Sequence, residues 1–379
     1  MSEPVPGVDP LDAPLSTLLG KGHLPGYLVT GFPKLIARRM AAAFLARDAS
    51  CKVTLLCRQR HLSDARAFAD GFPAADRERL HVVDGDIAHL HLGLSTPEYR
   101  ALTENVTDVF HAAEWSDLTA ERSELAKVNV EGTRAILELA DDCRRLRRVT
   151  HVSTVFVSGD RTGVVAEDEL SQGQHFRNGY EETRYEAELL VRRAMQELPC
   201  TVLRPSIVVG DSRTGEIDRF GGPYTIGIML TSSAVQVPLP LPHAGVAPLN
   251  IVPIDFVVAA SERLHHDPRA VGRTFHLVDS NPASVRRVYE TVAERMGRKL
   301  PRLSLGYRLT DALLKLPGLE RLTREQRMAI STVNHLVFFS SRGTLELLDG
   351  TGIRCPPIES YLDALIEYVK SEYRRRREA

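Results

Sequence analysis

The sequence predicts an α/β fold: a doubly wound parallel sheet followed by a smaller C-terminal region. Two observations predict it. From residue 26 to residue 204, short apolar runs alternate with longer amphipathic segments, and that alternation builds parallel strands covered by helices on both faces. After Asp211 the texture changes to Gly- and Pro-rich loop, SRTGEIDRFGGPY and then VPLPLPHAGVAPLN. The chain has 379 residues, 43% of them hydrophobic, enough for a sizeable core. The expected division is a leader at 1–25, the sheet domain at 26–210, and a region at 211–379 interleaved with the sheet domain.

The elements follow in order. GYLVT, KVTLLC, LHVVDGD, VTDVFHAA, RVTHVS and CTVLRP are the expected strands, and Leu35–Arg47 and residues 125–146 the first helices. Further helices are expected at Ile254–His266 and 284–297, with a last one at 358–376.

The turn after the first strand, TGFPKLIA, sets Thr30, Gly31, Phe32, Pro33, Lys34 and Leu35 between a strand and a helix start. Such a turn brings backbone N–H groups and the positive helix end against a pyrophosphate, the arrangement of a Rossmann-type dinucleotide site. Gly31 holds the first glycine position, Lys34 the second and Ala37 the third. A Cβ at Lys34 crowds a pyrophosphate, whereas its ammonium suits one. Taken alone, the turn is equally an ordinary strand-to-helix connection.

The second strand ends LLCRQRH without the acid that accepts from an NAD ribose. Arg58 and Arg60 suit a 2′-phosphate, which favours NADP(H) over NAD, with solvated arginines as the competing account. Asp86, next to Ile87, is placed for an adenine amino group or for a turn. His111, Ala112 and Ala113 close the fourth strand in small residues, as close cofactor approach or tight packing requires. Asn129 lies in the following helix, where the surrounding apolar pattern suits a side chain facing the sheet, with a solvated helix face as the competing account.

HVSTVFVSG and NGYEETRYEAE place a hydroxyl at a strand end ahead of a tyrosine with a cation one helical turn on: Thr154, Tyr180 and Arg184. Beside a nicotinamide this is a proton-donating cluster. The competing account makes Arg184 half of an exposed pair with Glu188.

Composition narrows the classes. Lys+Arg is 48 against Asp+Glu 49, net charge -1, so nothing favours nucleic acid or an anionic membrane. The five cysteines are scattered and form no CxxC, as reduced cytosolic thiols would be, and no metal is expected. The pair His89 and His91 and the basic run EYRRRREA read as surface features. The N-terminus lacks a basic start with an apolar core, and no membrane-spanning run follows, so a cytoplasmic protein is expected.

LVTG, GDI, FHAA, VNVEGT, HVSTVFVSG, NGYEETRYEAE and LRPSIVVGDSRTGE together make the chain, from residue 26 to about 210, resemble an extended short-chain dehydrogenase/reductase. It is especially similar to the thioester reductase and fatty acyl reductase (male-sterility-like) branch. The resemblance implies Tyr180 as proton donor, Thr154 as its hydroxyl partner, and Arg184 where the family has lysine. It implies Asn129 as a further active-site residue, and Pro205, Ile207, Val208 and Gly210 near the nicotinamide carboxamide. It also implies an oxidoreductase acting on a hydrophobic carbonyl compound, an acyl thioester or long-chain aldehyde, free or carrier-linked, with the protein a monomer or an oligomer. The apolar residues of 224–249, from Ile226 to Leu241, either form a wall for an acyl chain or complete the core of the smaller region. A nucleotide-sugar epimerase or dehydratase is the second reading, and a non-catalytic dinucleotide-binding protein, favoured by Lys34 and Arg184, the third.

Overall fold

A computed structural model describes residues 24–218, 245–295, 297 and 335–378. The acyl-wall segment, from Ile226 to Leu241, lies outside them, as does nearly all of the leader.

In chain order the first half runs β1 (Gly26–Thr30), α1 (Leu35–Arg47), β2 (Lys52–Cys57), α2 (Leu62–Asp70), α3 (Ala74–Arg77), β3 (Leu80–Asp84), α4 (Thr96–Asn105) and β4 (Asp108–His111). Next come α5 (Arg122–Ala126), a π turn (Lys127–Glu131), α6 (Gly132–Asp142), β5 (Arg148–Val152), β6 (Gly163–Val165), α7 (Gly179–Ala194) and β7 (Cys200–Pro205). The second half adds β8 (Ile207–Val209), β9 (Ile251–Pro253), α8 (Ile254–His266), β10 (Thr274–Leu277), α9 (Val285–Arg295), β11 (Val337–Phe339), α10 (Arg342–Leu348) and α11 (Leu362–Glu378).

Seven strands form one sheet in the order β10-β7-β5-β4-β1-β2-β3, and every pairing in it is parallel. Its strands read as nearly continuous apolar runs because both faces are covered. On one face Tyr27, Val29, Met40, Phe44, Phe110, Val257 and Phe275 make a core under α1 and α8. On the other, Leu28, Leu102, Val109, Ile136, Leu139 and Val202 pack under α4 and α6. The strand order reverses between β1 and β4, and such a sheet opens a crevice there, beyond the carboxyl ends of the strands.

The six expected strands are all present, and α1 has the expected bounds. The helix expected over 125–146 is instead α5, a π turn and α6. The sheet has a seventh strand, β10, whose TFHL is too short and too polar to stand out by pattern.

A buried ionic web ties α7 to the sheet's outer strands. Glu188 and Arg204 are 0% and 1% exposed, and paired at 2.6 Å. Glu188 also accepts from Ser153 at 2.7 Å and Arg192 at 3.0 Å. These partners outweigh burial and hold its carboxyl below the usual range. The exposed Arg184–Glu188 pair is therefore corrected: both side chains are fully buried, and Glu188 spends its oxygens on Ser153, Arg192 and Arg204. Further out, Glu167 accepts from the backbone N–H of His276 at 3.0 Å and from Thr344 Oγ1 at 2.7 Å, joining β10 to α10.

Candidate active site

The crevice is built from the ends of β1, β4 and β5 and the first turns of α7. Gly31 follows β1 with φ of 99°, and a Cβ there would meet the Ala112 carbonyl oxygen at 2.6 Å. Only glycine fits, because the turn needs both the left-handed backbone and close approach to the end of β4. Thr30, wholly buried, fastens that approach: its Oγ1 meets His111 Nδ1 at 2.8 Å and accepts from the Ala113 N–H at 3.2 Å. His111 Nε2 lies 3.1 Å from Thr133 Oγ1, so both imidazole nitrogens are satisfied. Burial first, and the Arg184 charge second, pull His111 down to about 3, so it is neutral.

Asn129 sits in the π turn and is fully buried. A π turn carries one extra residue and re-aims the side chains around it. Here Asn129 Oδ1 accepts from the Trp115 N–H at 2.8 Å, and its Nδ2 donates to the Trp115 carbonyl at 3.1 Å and to Thr183 Oγ1 at 3.0 Å. The side chain clamps the loop after β4 against α7.

That loop carries Glu114, absent from the sequence expectations. Tyr180 Oη donates to Glu114 Oε2 at 2.9 Å, Lys34 Nζ donates to Glu114 Oε1 at 2.8 Å, and Arg184 Nε lies 3.7 Å from Oε2. Burial pushes the Glu114 carboxyl up, but Lys34 and Arg184 outweigh it and bring it down to about 2. Tyr180 moves the other way: burial and the Glu114 charge raise its phenol well above 10, against Arg184 and a hydrogen bond from Thr154. The structure thus brings Lys34, Glu114, Thr154, Tyr180 and Arg184 together. The available signal for Glu114 was Lys34 itself, since a cation at a glycine position calls for a nearby countercharge.

Arg184 is 0% exposed. Its Nη2 donates to the Val152 carbonyl, while Nε and Nη1 are buried without a hydrogen-bond partner. Each unmade bond of that kind costs about 1–3 kcal/mol. With Nη1 unpartnered and Nε held only by the 3.7 Å ion pair to Glu114, these donors are the observation that fits a dinucleotide, whose nicotinamide ribose offers hydroxyl acceptors.

The other candidates spread outward. Asp86 is partly exposed, and one of its oxygens accepts from the Ala88 N–H at 3.0 Å, a turn contact. Ile87 is buried over Gly132, where a Cβ would meet its Cδ1 at 2.6 Å. Arg58 and Arg60 are exposed beyond β2, with Arg60 Nε 3.1 Å from His61 Nε2. Phe32 is buried against Phe68 at 5.7 Å between centroids, and Pro33 brings no N–H to the turn. The Leu35 N–H donates to Asp218, which also takes Arg38. Pro205 is buried, and Ile207 and Val208 are partly exposed on β8. His89 lies 4.0 Å from Asp86, and His91 packs on Tyr99. Among the described residues no group of three His, Cys, Asp or Glu could hold a metal, and no helix is long and apolar enough to cross a membrane.

Comparison with known proteins gives the family. A fatty acyl-CoA reductase of Drosophila melanogaster, "wat", is 29% identical over 189 residues, 42% of this chain and 37% of that protein. A carboxylic acid reductase of Segniliparus rugosus is 27% identical over 268 residues, 63% of this chain but 21% of its own length. The chain therefore spans well under half of these relatives. The terminal R domain from the myxalamid PKS-NRPS biosynthetic pathway superposes with a TM-score of 0.76 at 26% identity, covering 92% of each chain. A UDP-glucuronic acid 4-epimerase from Bacillus cereus, solved with NAD, shares the fold at 17% identity and a TM-score of 0.67. The profile described as male sterility protein, an NAD-binding family, matches residues 29–261. The chain belongs to that family, among the NAD(P)-binding oxidoreductases of the extended short-chain dehydrogenase/reductase type.

Proposed function

We propose that the protein is an NADP-dependent reductase of a hydrophobic carbonyl compound, an acyl thioester or a long-chain aldehyde, with Tyr180 as proton donor. The observation that carries this reading is a tyrosine whose hydroxyl donates to Glu114 beside the buried Arg184, whose Nη1 has no hydrogen-bond partner. NADP over NAD rests on the exposed Arg58 and Arg60 after a strand that ends without an acid. The substrate class rests on the fatty acyl-CoA and carboxylic acid reductases that the chain resembles.

When bound, the reduced nicotinamide supplies a hydride to the carbonyl carbon. The carbonyl π pair becomes an oxygen lone pair, and Tyr180 gives that oxygen its proton while Thr154 hydrogen-bonds it in place. Arg184 would hold the ribose through Nε and Nη1, and its charge stabilises the phenolate left behind. With a thioester, collapse of the tetrahedral adduct expels the thiol and leaves an aldehyde. Asn129 does not touch substrate; it keeps the loop after β4 seated against α7.

Purified protein is expected to consume NADPH with fatty acyl thioesters or long-chain aldehydes, and Tyr180→Phe to lose roughly 10²–10⁴ of that rate. Undiminished turnover in Tyr180→Phe would sink the mechanism. Calorimetric binding of NADPH without turnover on any carbonyl would leave the non-catalytic reading standing.

A further inference from the structure

We propose that Glu114, braced by Lys34, is a positioning residue that holds the Tyr180 phenol in its neutral form, so that phenolate, the form alcohol oxidation needs, appears only at a higher pH than Arg184 alone would set. The inference deepens the reductase reading and rests on its choice of Tyr180 as proton donor.

The geometry carries it. Tyr180 donates to Glu114 Oε2 at 2.9 Å, which fixes where the hydroxyl proton lies. The other oxygen, Oε1, is anchored by Lys34 Nζ at 2.8 Å, so the carboxylate is held between the nucleotide turn and the tyrosine. Arg184 Nε stands 3.7 Å from that same Oε2 and its Nη2 donates to the Val152 carbonyl, so part of the guanidinium is engaged by Glu114 and by the backbone. An ionised carboxylate beside a phenol stabilises the neutral form and opposes phenolate. Reduction consumes the neutral form; alcohol oxidation needs the phenolate as base. A site with only the arginine beside the tyrosine would tilt the other way. Glu114 therefore offsets the cation that position 184 places there, and Lys34 keeps Glu114 ionised and in reach. The two departures from the expected pattern, at 34 and at 184, are linked through a third residue.

Among the described residues, the groups that face the phenol are few. Glu114 reaches it from the loop after β4, Lys34 stands behind Glu114 on the α1 side, Arg184 is one turn along α7, and Thr154 follows β5. His111 and His151 lie with ring centroids 5.2 Å apart near Arg184, and both are held below their ordinary range by burial and by Arg184. Neither adds charge at neutral pH or above.

The test needs neither cofactor nor substrate. Tyrosinate formation is followed by ultraviolet absorbance during alkaline titration of the wild type, Glu114→Gln, and Glu114→Gln combined with Tyr180→Phe. In Glu114→Gln one tyrosinate transition is expected to move down by about one pH unit or more, and the double variant is expected to lack it. A Glu114→Gln curve that superposes on the wild type overturns the proposal. Where Glu114→Gln melts too early to titrate, Glu114→Asp draws the charge back by one methylene and is expected to shift the same transition in the same direction by less; no shift there also overturns it. The reductase reading fails by a different result, full turnover in Tyr180→Phe, so the two failures are separable.

Discussion

A lysine at position 184 would carry the charge of the arginine found there but not its reach. Arg184 spends Nη2 on the Val152 carbonyl and keeps Nε and Nη1 in reserve, all from a side chain with no exposed surface. A lysine has one nitrogen for these directions. Arg184→Lys is expected to lose the bond to Val152, lowering stability by about 1–2 kcal/mol in urea unfolding, while keeping measurable turnover because the cation beside Tyr180 survives. Turnover abolished in a folded Arg184→Lys would show that the fork itself is needed. Thr154, Tyr180 and Arg184 were legible because their spacing runs across one strand end and one helix turn. Glu114 was not: it follows two alanines in HAAE, where its one neighbourly clue, Lys34, lies 80 positions upstream. Sequence pattern reports periodicity along an element and is silent about which loops meet. Glu188 misled for a related reason: four-residue spacing from Arg184 is right for a helix pair, yet both side chains point into the interior, where Arg204 waits.

At the scale of the element, the segment between α5 and α6 differs most from its expectation. A continuous helix over 125–146 satisfies the apolar pattern, but one π turn inserts there without disturbing the periodicity on either side. The extra residue lets Asn129 turn inward and bond both backbone groups of Trp115. Asn129→Ala leaves those groups and the Thr183 hydroxyl without that partner, and a loss of about 2–3 kcal/mol is expected. Its signature is a lowered urea midpoint with an unchanged denaturant slope. Asn129→Asp, nearly isosteric, keeps the acceptor but sets a buried carboxylate against the Trp115 carbonyl, so it should lose at least as much. β10 was missed for the opposite reason: TFHL has too few residues to show alternation, and its place at the sheet edge is fixed by β7, Glu167 and the buried His276 rather than by its own composition.

Over the whole molecule, several buried histidines share one electrostatic fate. Burial pulls His81 and His265 down to about 4, and His111 and His276 to about 3. Each is neutral when folded and takes a proton near 6.5 when unfolded. The unfolded chain therefore binds more protons below that pH, and stability present above about 6.5 is lost progressively as pH falls toward the folded values. Melting temperature is expected to drop between pH 7 and pH 5, before carboxylates titrate; a flat profile there would contradict the burial of these rings. Asp108 adds a lower step. Burial pushes its carboxyl up, but His265, Thr107 and Arg147 bring it to about 2, so its stabilisation is full above about 3.8 and is lost as pH falls through about 2.

Asp108 also shows what the sheet's polarity permits. It begins β4, held by Thr107 at 2.5 Å and Arg147 Nε at 3.1 Å, while Glu114 lies beyond that strand's far end. Strands rise about 3.3 Å per residue, so the two carboxylates are separated by a strand's length, and sites more than about 7–10 Å apart with no shared partners combine additively. Asp108→Asn and Glu114→Gln should consequently sum in melting temperature when combined, while the tyrosinate titration changes only with the second. One end of the strand can be loosened or tightened by selection without retuning the chemistry at the other.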